Sequence, residues 1–506
     1  MKLYSAAQMR ELDAFAINTL KIPGASLMRR ASKHVANAAI ELLAKSNHSD
    51  VVTFCGTGNN GGDGIGAAAY LIRDGITVRV FMIGERENMS ADSLEMEHRL
   101  IEYGGKLESF DSDAAYEATE RCGVIIDAIF GTGLKRPVTG AALEAVNIIN
   151  NSKVPVVSVD IPSGIHTDTG EILGECVHAD VTITFSAAKP GLYQTPGAVF
   201  TGDVNVCDIG IPPELINNMQ SDIVAIVNGD ISLPMRPRDS HKGDFGRALI
   251  IAGGTGYTGA PVMAANACSR AGAGLVSLGV PDGIYPIIAQ KCIGEMPFPI
   301  LGGNTVSEAA WDELQPRIKA ADAVLIGPGM RSTAGTKAIV EHALRESDAP
   351  VILDADGING LVGNIDILDN AKPPVILTPH DGEFARIAGD IAPGERLSAA
   401  CEFAKRHGCV VILKGYRTIT AMPDGTAYIN TTGNPGLAKG GSGDVLAGIL
   451  TALIGQRFSI KDACIAAVYL HGLAGDIASA RLGEYSVTPE DVISTIPQAF
   501  LSVTEK

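Results

Sequence analysis

Near its carboxyl-terminal end the chain reads Asn434, Pro435, Gly436, Leu437, Ala438, Lys439, Gly440, Gly441, Ser442, Gly443, Asp444, and an apolar run follows. Glycines at 440, 441 and 443 let successive backbone N–H groups point into one cavity, and a helix starting there adds the positive end of its dipole. Such a hole stabilises an anion in transit, above all a transferring phosphoryl group. Asp444 at its rim could take the proton of an attacking hydroxyl. A plain glycine turn with Asp444 as helix cap is the competing explanation. No GxxxxGK[ST] occurs in the chain, which argues against a Walker-type ATPase.

The first half carries a different set. Directly after VVTFC comes GTGNNGGDG, Gly56 to Gly64, with glycines 56, 58 and 61 in a GxGxxG pattern. That pattern alone is a weak dinucleotide signal, and TVRVFMIGER offers no acidic partner at the end of the second strand. Asn59, Asn60 and Asp63 are more polar than a loop turn needs, although a left-handed turn would account for one asparagine. Two further strand ends supply Asp127, followed by GTGLKRP, and Asp160 with Ser163 in DIPSG. Oxygens from Asn60, Asp127 and Ser163 suit a hard cation; taken singly, Asp127 and Asp160 are equally well read as caps or turns.

These residues need a scaffold that brings strand ends together. Apolar runs at 51–55, 77–83, 124–130 and 154–160 alternate with helical patterns, and the alternation resumes at 247–254, 321–329, 350–357, 374–383 and 409–415. That is the pattern of βαβ units with a mainly parallel sheet, whose ligands bind outside the carboxyl ends of the strands. Ser5 and Gln8 form a capping-box pattern before a helix with Met9, Leu12, Ala16 and Leu20 on one face, and a second helix is expected over about 24–44. Prolines 212, 213, 234 and 237 mark a change of texture, so two domains are expected, at 1–218 and 225–503.

Composition narrows the classes. With 506 residues and 46% hydrophobic residues, two ordinary cores are affordable. A net charge of −17 argues against a general nucleic-acid surface, yet leaves anionic small molecules open because backbone N–H groups can hold phosphates. The nine cysteines form no CxxC pair, which fits dispersed thiols in a reducing cytoplasm rather than zinc or disulfides. No signal peptide or uninterrupted apolar run of 18 residues is read, so no membrane partner is expected.

Taken together, NNGGDG, DAIFGTGLKRP, VDIPSG and FSAAKPG closely resemble the YjeF N-terminal domain, the epimerase of hydrated NAD(P)H, over about 1–215. The resemblance implies a Rossmann-like doubly wound sheet. It implies that Asn59, Asn60, Gly61, Gly62 and Asp63, the run Gly131, Thr132, Gly133, Leu134, Lys135, Arg136 and Pro137, and Asp160 contact the hydrated coenzyme. Asn60, Asp127 and Ser163 would hold potassium. Inversion at the hydrated ring carbon needs reversible loss of hydroxide, and Asp160 is the candidate acid or base.

The second half, through IIAGGTGYTGAP, GPG, DADG, TPHDGE, KGYRT and NPGLAKGGSGD, resembles the ribokinase-like superfamily and, within it, the ADP/ATP-dependent NAD(P)H-hydrate dehydratases, over about 225–500. In that family the hydrate hydroxyl is phosphorylated and phosphate then leaves. The resemblance implies Asp444 as base, a nucleotide site at Lys414, Gly415, Tyr416, Arg417 and Thr418 and from Asn434 through Gly443, and coenzyme contacts from Ala260, Gly329, His380 and Asp444. It further implies magnesium, a homo-oligomer, and ADP as the nucleotide, converted to AMP and phosphate, with ATP as the alternative. The chain departs from the family pattern at MRS after GPG and at Gly357, where alanine is common. Two other readings stand beside this one: a ribokinase-like kinase of a small metabolite, and a binding module built on the first half.

Overall fold

In the computed structural model, which describes residues 1–504, the chain divides into one compact unit, Lys2–Ile223, and a second from Val224 onward. The first unit holds seven strands: Val51–Cys55 (β1), Val78–Met82 (β2), Leu107–Ser109 (β3), Val124–Ala128 (β4), Val156–Val159 (β5), Val181–Phe185 (β6) and Asp203–Cys207 (β7). Their order is β3-β2-β1-β4-β5-β6-β7, and every neighbouring pair is parallel. The order reverses between β1 and β4, which pair with Phe54 opposite Asp127. A doubly wound sheet opens its crevice at such a switch point, so the turns after β1 and β4 must face each other. Val51 to Cys55 and Val124 to Ala128 are buried throughout, as strands covered by helices on both faces require.

The amino-terminal helix, Ala6–Asn18, starts from the expected reciprocal cap: Gln8 N–H donates to Ser5 Oγ at 3.2 Å, and Ser5 N–H donates to Gln8 Oε1 at 2.9 Å. Met9, Leu12 and Ala16 are buried on one face, but the helix stops before Leu20, which is 40% exposed. The second helix runs Gly24–Leu43. A further departure concerns Gly56 to Gly64, read as a loop. Asn59 to Gly64 are instead the first turns of the helix Asn59–Arg73, and neither asparagine is left-handed. Their side chains therefore project from a helix N-terminus at fixed angles.

The second unit is built on a ten-stranded sheet. Its strands are Ile223–Ala225 (β8), Arg247–Ile251 (β9), Leu275–Pro281 (β10), Met296–Ile300 (β11), Ala323–Ile326 (β12), Val351–Leu353 (β13), Val375–Leu377 (β14), Val410–Leu413 (β15), Ile419–Ala421 (β16) and Ala427–Ile429 (β17). The order is β11-β10-β9-β12-β13-β14-β15-β16-β17-β8, parallel as far as β15 and antiparallel from β15 to β17. Helix Ser442–Gly455 lies against helix Gly259–Arg270 at close range, because a Cβ on Gly448 would meet Ala264 O at 2.3 Å.

Helix Ile460–Leu482 is long and apolar enough to span a bilayer, although charged and polar residues interrupt its apolar positions. Two thirds of its apolar window, 67%, is buried inside the protein, and Asp476 and Ser479 on it bind a neighbouring loop. It is a core helix by its packing.

Candidate active sites

In the first unit, the turns after β1, β4 and β5 converge. A Cβ on Gly56 would sit 2.1 Å from Ile129 O, so only glycine lets the turn after β1 come so close to the turn after β4. Asn60 packs its amide against Gly131. Asp127 at the end of β4 is wholly buried. It accepts from Ser163 Oγ at 2.6 Å, Ser163 N at 2.9 Å, Ser158 Oγ at 2.8 Å and Ile129 N at 3.3 Å. Burial raises its carboxyl above the usual range against the pull of these donors, and no cationic side chain pairs with it among the described residues. Asn60, Asp127 and Ser163 thus come together, and Asn60 Nδ2 is buried without a partner. The oxygens of Asn60, Asp127 and Ser163 are of the type that could hold a hard cation.

Beside this cluster lies a cavity of about 780 Å³, lined among others by Asn59, Asp63, Lys135, Arg136, Asp160 and Lys189. Asp160 follows β5 with φ +65°, a left-handed conformation that an aspartate adopts at some cost. Its Oδ1 accepts from Thr184 Oγ1 at 3.1 Å and Phe185 N at 3.3 Å and is ion-paired with Lys189. Lys189 is 2% exposed and spends its other protons on Thr184 Oγ1 at 2.8 Å and Phe185 O at 3.2 Å. A cap or simple turn does not explain a buried ammonium held against a strained carboxylate. Lys189 had no role in the sequence reading; its position inside FSAAKPG was visible, its partner was not.

In the second unit, the glycine run after η-type turn Pro435–Leu437 leads into helix Ser442–Gly455, with Asp444 in the first turn. Gly441 sits at φ +103°, and a Cβ there would also meet Met263 Sδ at 2.7 Å. No side chain caps this helix, and the Asp444 carboxylate makes no hydrogen bond among the described residues, so the cap explanation for Asp444 fails. Burial, then the charge of Asp354, pushes its carboxyl up to about 7, against the pull of Lys414. Lys414 Nζ lies 2.8 Å from Asp354 Oδ1 and 3.7 Å from Glu383 Oε2, and a Cβ on Gly443 would be 3.3 Å from it. Burial works against the Lys414 charge, but Asp354, Glu383 and Asp444 together outweigh it, and its pKa is raised. Asp354 and Glu383, quoted within motifs but given no role, thus hold the lysine at the glycine hole.

Other expected residues fall into place differently. Asn434 accepts from Gly436 N at 2.9 Å and Ser479 Oγ at 2.7 Å, and donates to Asp476 at 2.8 Å; Lys439 Nζ donates to Tyr485 O at 2.8 Å and to Val487 O. Both side chains brace the loop, which leaves backbone groups to face a ligand. Thr418 Oγ1 donates to Gly415 O at 2.9 Å, closing the KGYRT turn, and Arg417 Nη1 donates to Thr431 O at 3.0 Å. Gly329, at φ +63°, packs on Ala260, whose Cβ would be 3.2 Å from an added one. His380 caps helix Asp381–Ala388, its Nδ1 accepting from Gly382 N at 3.0 Å and Glu383 N at 3.3 Å, while half its side chain stays exposed. Glycine at 357 has a steric reason: a Cβ would meet Ile326 O at 2.3 Å.

The class defined here is a two-site α/β protein, one site at the switch point of a doubly wound sheet and one at a glycine anion hole with a carboxylate in a ribokinase-like unit. Family models match in the same order: the YjeF-related protein N-terminus over residues 24–191 and NAD(P)H-hydrate dehydratase over residues 248–498. The bifunctional NAD(P)H-hydrate repair enzyme Nnr of Moorella thermoacetica is 37% identical over 100% of this chain and 98% of its own length, and that of Thermofilum pendens 35% over 100% and 97%. An ADP/ATP-dependent NAD(P)H-hydrate dehydratase from Bacillus subtilis, co-crystallised with ATP and magnesium, is 30% identical with a TM-score of 0.47, covering 55% of this chain and 98% of that one. This chain belongs to the bifunctional NAD(P)H-hydrate repair enzymes. It is an isomerase joined to a lyase: it epimerises hydrated NAD(P)H and dehydrates it in a nucleotide-dependent reaction.

Proposed function

We propose that residues 1–218 carry the epimerase and 225–503 the dehydratase, and that the dehydratase uses ADP, giving AMP and phosphate, on the S epimer. The observation that carries the reading is Asp444 at the glycine hole with a carboxyl near 7, beside Lys414. Near neutral pH such a carboxylate can take the proton of the hydrate hydroxyl as its oxygen attacks phosphorus. Backbone N–H groups of Gly440 to Gly443 stabilise the charge on the transferring group, and Lys414 adds a fixed positive charge. Phosphate then departs with the C–O electron pair, where hydroxide would leave poorly; the ring nitrogen's lone pair forms the iminium, and loss of a proton from the neighbouring ring carbon to solvent restores the dihydropyridine. Gly415 to Thr418 and the backbone from Asn434 onward bind the nucleotide, while Ala260, Gly329 and the exposed part of His380 bound the coenzyme. Magnesium, when bound, neutralises the nucleotide phosphates.

In the epimerase cavity, Asn59 to Asp63 and Gly131 to Pro137 hold the hydrated coenzyme, and Asp160 serves as acid or base in the reversible loss of hydroxide from the ring carbon. Lys135 and Arg136, which form no ion pair among the described residues, supply charge for its phosphates. Asn60, Asp127 and Ser163 hold potassium, which offsets the buried carboxylate and fixes the three turns. The nine free thiols fit a cytoplasmic setting. The enzyme works as a homo-oligomer.

The test follows near-ultraviolet absorbance of NADH from S-NADH hydrate with ADP or ATP and magnesium, for wild type and Asp444→Asn. The expected result is ADP-dependent recovery of NADH that the variant loses. Faster recovery with ATP overturns the nucleotide assignment, and full activity of the variant overturns the role of Asp444.

A further inference from the structure

The amino-terminal helix Ala6–Asn18 lies outside the residues matched by the family model, which begins at 24. Even so, it forms part of the first unit's cavity wall. Arg10, Asp13 and Ile17, spaced to share one helical face, line the cavity together with Met9, while buried Leu12 and Ala16 anchor the helix in the core. The helix is pinned at its start. Tyr4 N donates to Ala188 O at 2.9 Å, next to Lys189, and Ala6 N donates to Asp168 Oδ1 at 2.7 Å.

Of the carboxylates that line this cavity, Asp13 on the first helix, Asp63 on helix Asn59–Arg73 and Asp160 after β5 share it with one buried ammonium, Lys189, and half-buried Asp92 lines it as well. Asp160 is committed to Lys189. Asp13 and Asp63 accept no hydrogen bond among the described residues, and Asp63 is 9% exposed. We infer that Asp13 is a catalytic residue of the epimerase, the acid that protonates the departing hydroxyl of the hydrate. This rests on the cavity being the epimerase site.

Charge distribution separates the three carboxyls. Asp63 is pushed well above the carboxylate range by burial and then by the charges of Asp160 and Asp13, with Asp92 adding to them and Lys189 opposing. Asp13 is pushed up to about 6 by desolvation and then by Asp160, again against Lys189, and so exchanges a proton near neutrality. Arg10 is the charged neighbour on its own helix face. The step balances. The C–O bond at the hydrated carbon breaks with its pair going to oxygen, and the Asp13 proton completes a water. The ring nitrogen's lone pair forms the iminium. Water then adds to the other face and gives its proton to a cavity carboxylate, and proton exchange within the cluster restores Asp13.

The experiment uses the full-length protein without nucleotide and follows conversion of pure R-NADH hydrate to the S epimer by chromatography, from pH 5 to 9. Asp13→Asn, Asp13→Glu and Asp160→Asn are compared, and thermal unfolding of each full-length variant followed by circular dichroism reports whether the first unit is folded as in wild type. We expect Asp13→Asn to lose about 100-fold in kcat and to lose the decline of kcat/KM with rising pH that marks an acid, with Asp13→Glu recovering part of both. Wild-type epimerisation and an unchanged pH profile in Asp13→Asn, while Asp160→Asn is impaired, would overturn the role of Asp13 alone. Wild-type rates in both would overturn the cavity assignment with it.

Discussion

Both sites grow from the same local device, a strand, a glycine-rich turn and the first turn of a helix, yet they hold opposite charge problems. At the second site the helix Ser442–Gly455 faces a lysine, Lys414, fixed by Asp354 and Glu383, so the hole favours an anion, and the Asp444 carboxylate there makes no ion pair among the described residues. At the first site the turn after β1 faces carboxylates. Lys189 offsets Asp160, but Asp13, Asp63 and Asp127 have no cation of their own among the described residues. One arrangement presents backbone N–H groups and a fixed positive charge; the other gathers carboxyl groups around one buried ammonium. A GxGxxG match is blind to this difference, because the deciding charges come from other strands.

The comparison can be broken most directly at Asp444. Asp444→Asn is expected to cut dehydration about 1000-fold while leaving epimerisation intact, as separate assays of the two reactions would reveal. A loss in both would mean that the sites are not independent. Replacing Lys414 by Met strands Asp354 and Glu383, which are 2% and 8% exposed. Breaking a buried pair in this way costs about 3–5 kcal/mol, read by denaturant unfolding, and adding Asp354→Asn should return part of it.

The pH dependence sharpens the contrast. In the proposed role of base Asp444 must be deprotonated, so kcat/KM for dehydration should rise through about pH 7 and level off above it. Epimerisation, which needs an acid, should fall with pH instead. Smaller is Gly441→Ala, where φ +103° and the Met263 contact predict a loss of about 1–3 kcal/mol. It should also weaken nucleotide binding, measurable by calorimetry. Smallest is Ser5→Ala, expected to cost about 1 kcal/mol by thermal unfolding through the lost cap.

Much of the scaffold was legible in the chain. All nine apolar runs became parallel strands, because strands buried on both faces must be apolar throughout. Strands outside that pattern escaped notice. The edge strand β7 alternates exposed and half-buried residues, β3 is three residues long, and β10 ends in Gly279 and Pro281. The antiparallel β16 and β17, also three residues each, depend on pairing with β15 rather than on a long apolar run. Leu20 and the asparagines of the first turn show the same limit at element ends, where short-range turn and capping hydrogen bonds, not apolar periodicity, set the boundary.

By itself, the sequence determined the βαβ framework and the glycine turns and marked Asp160 and Asp444 as candidates at element ends, since these depend on periodicity and on short-range spacing. Tertiary structure alone decided which charges meet. Lys414 reaches Asp354 across 60 positions, Lys189 reaches Asp160 across 29, and Asp13 enters the cavity from a helix that begins the chain. Coulomb interactions depend on distance and burial in space, and neither can be read from separation along a chain.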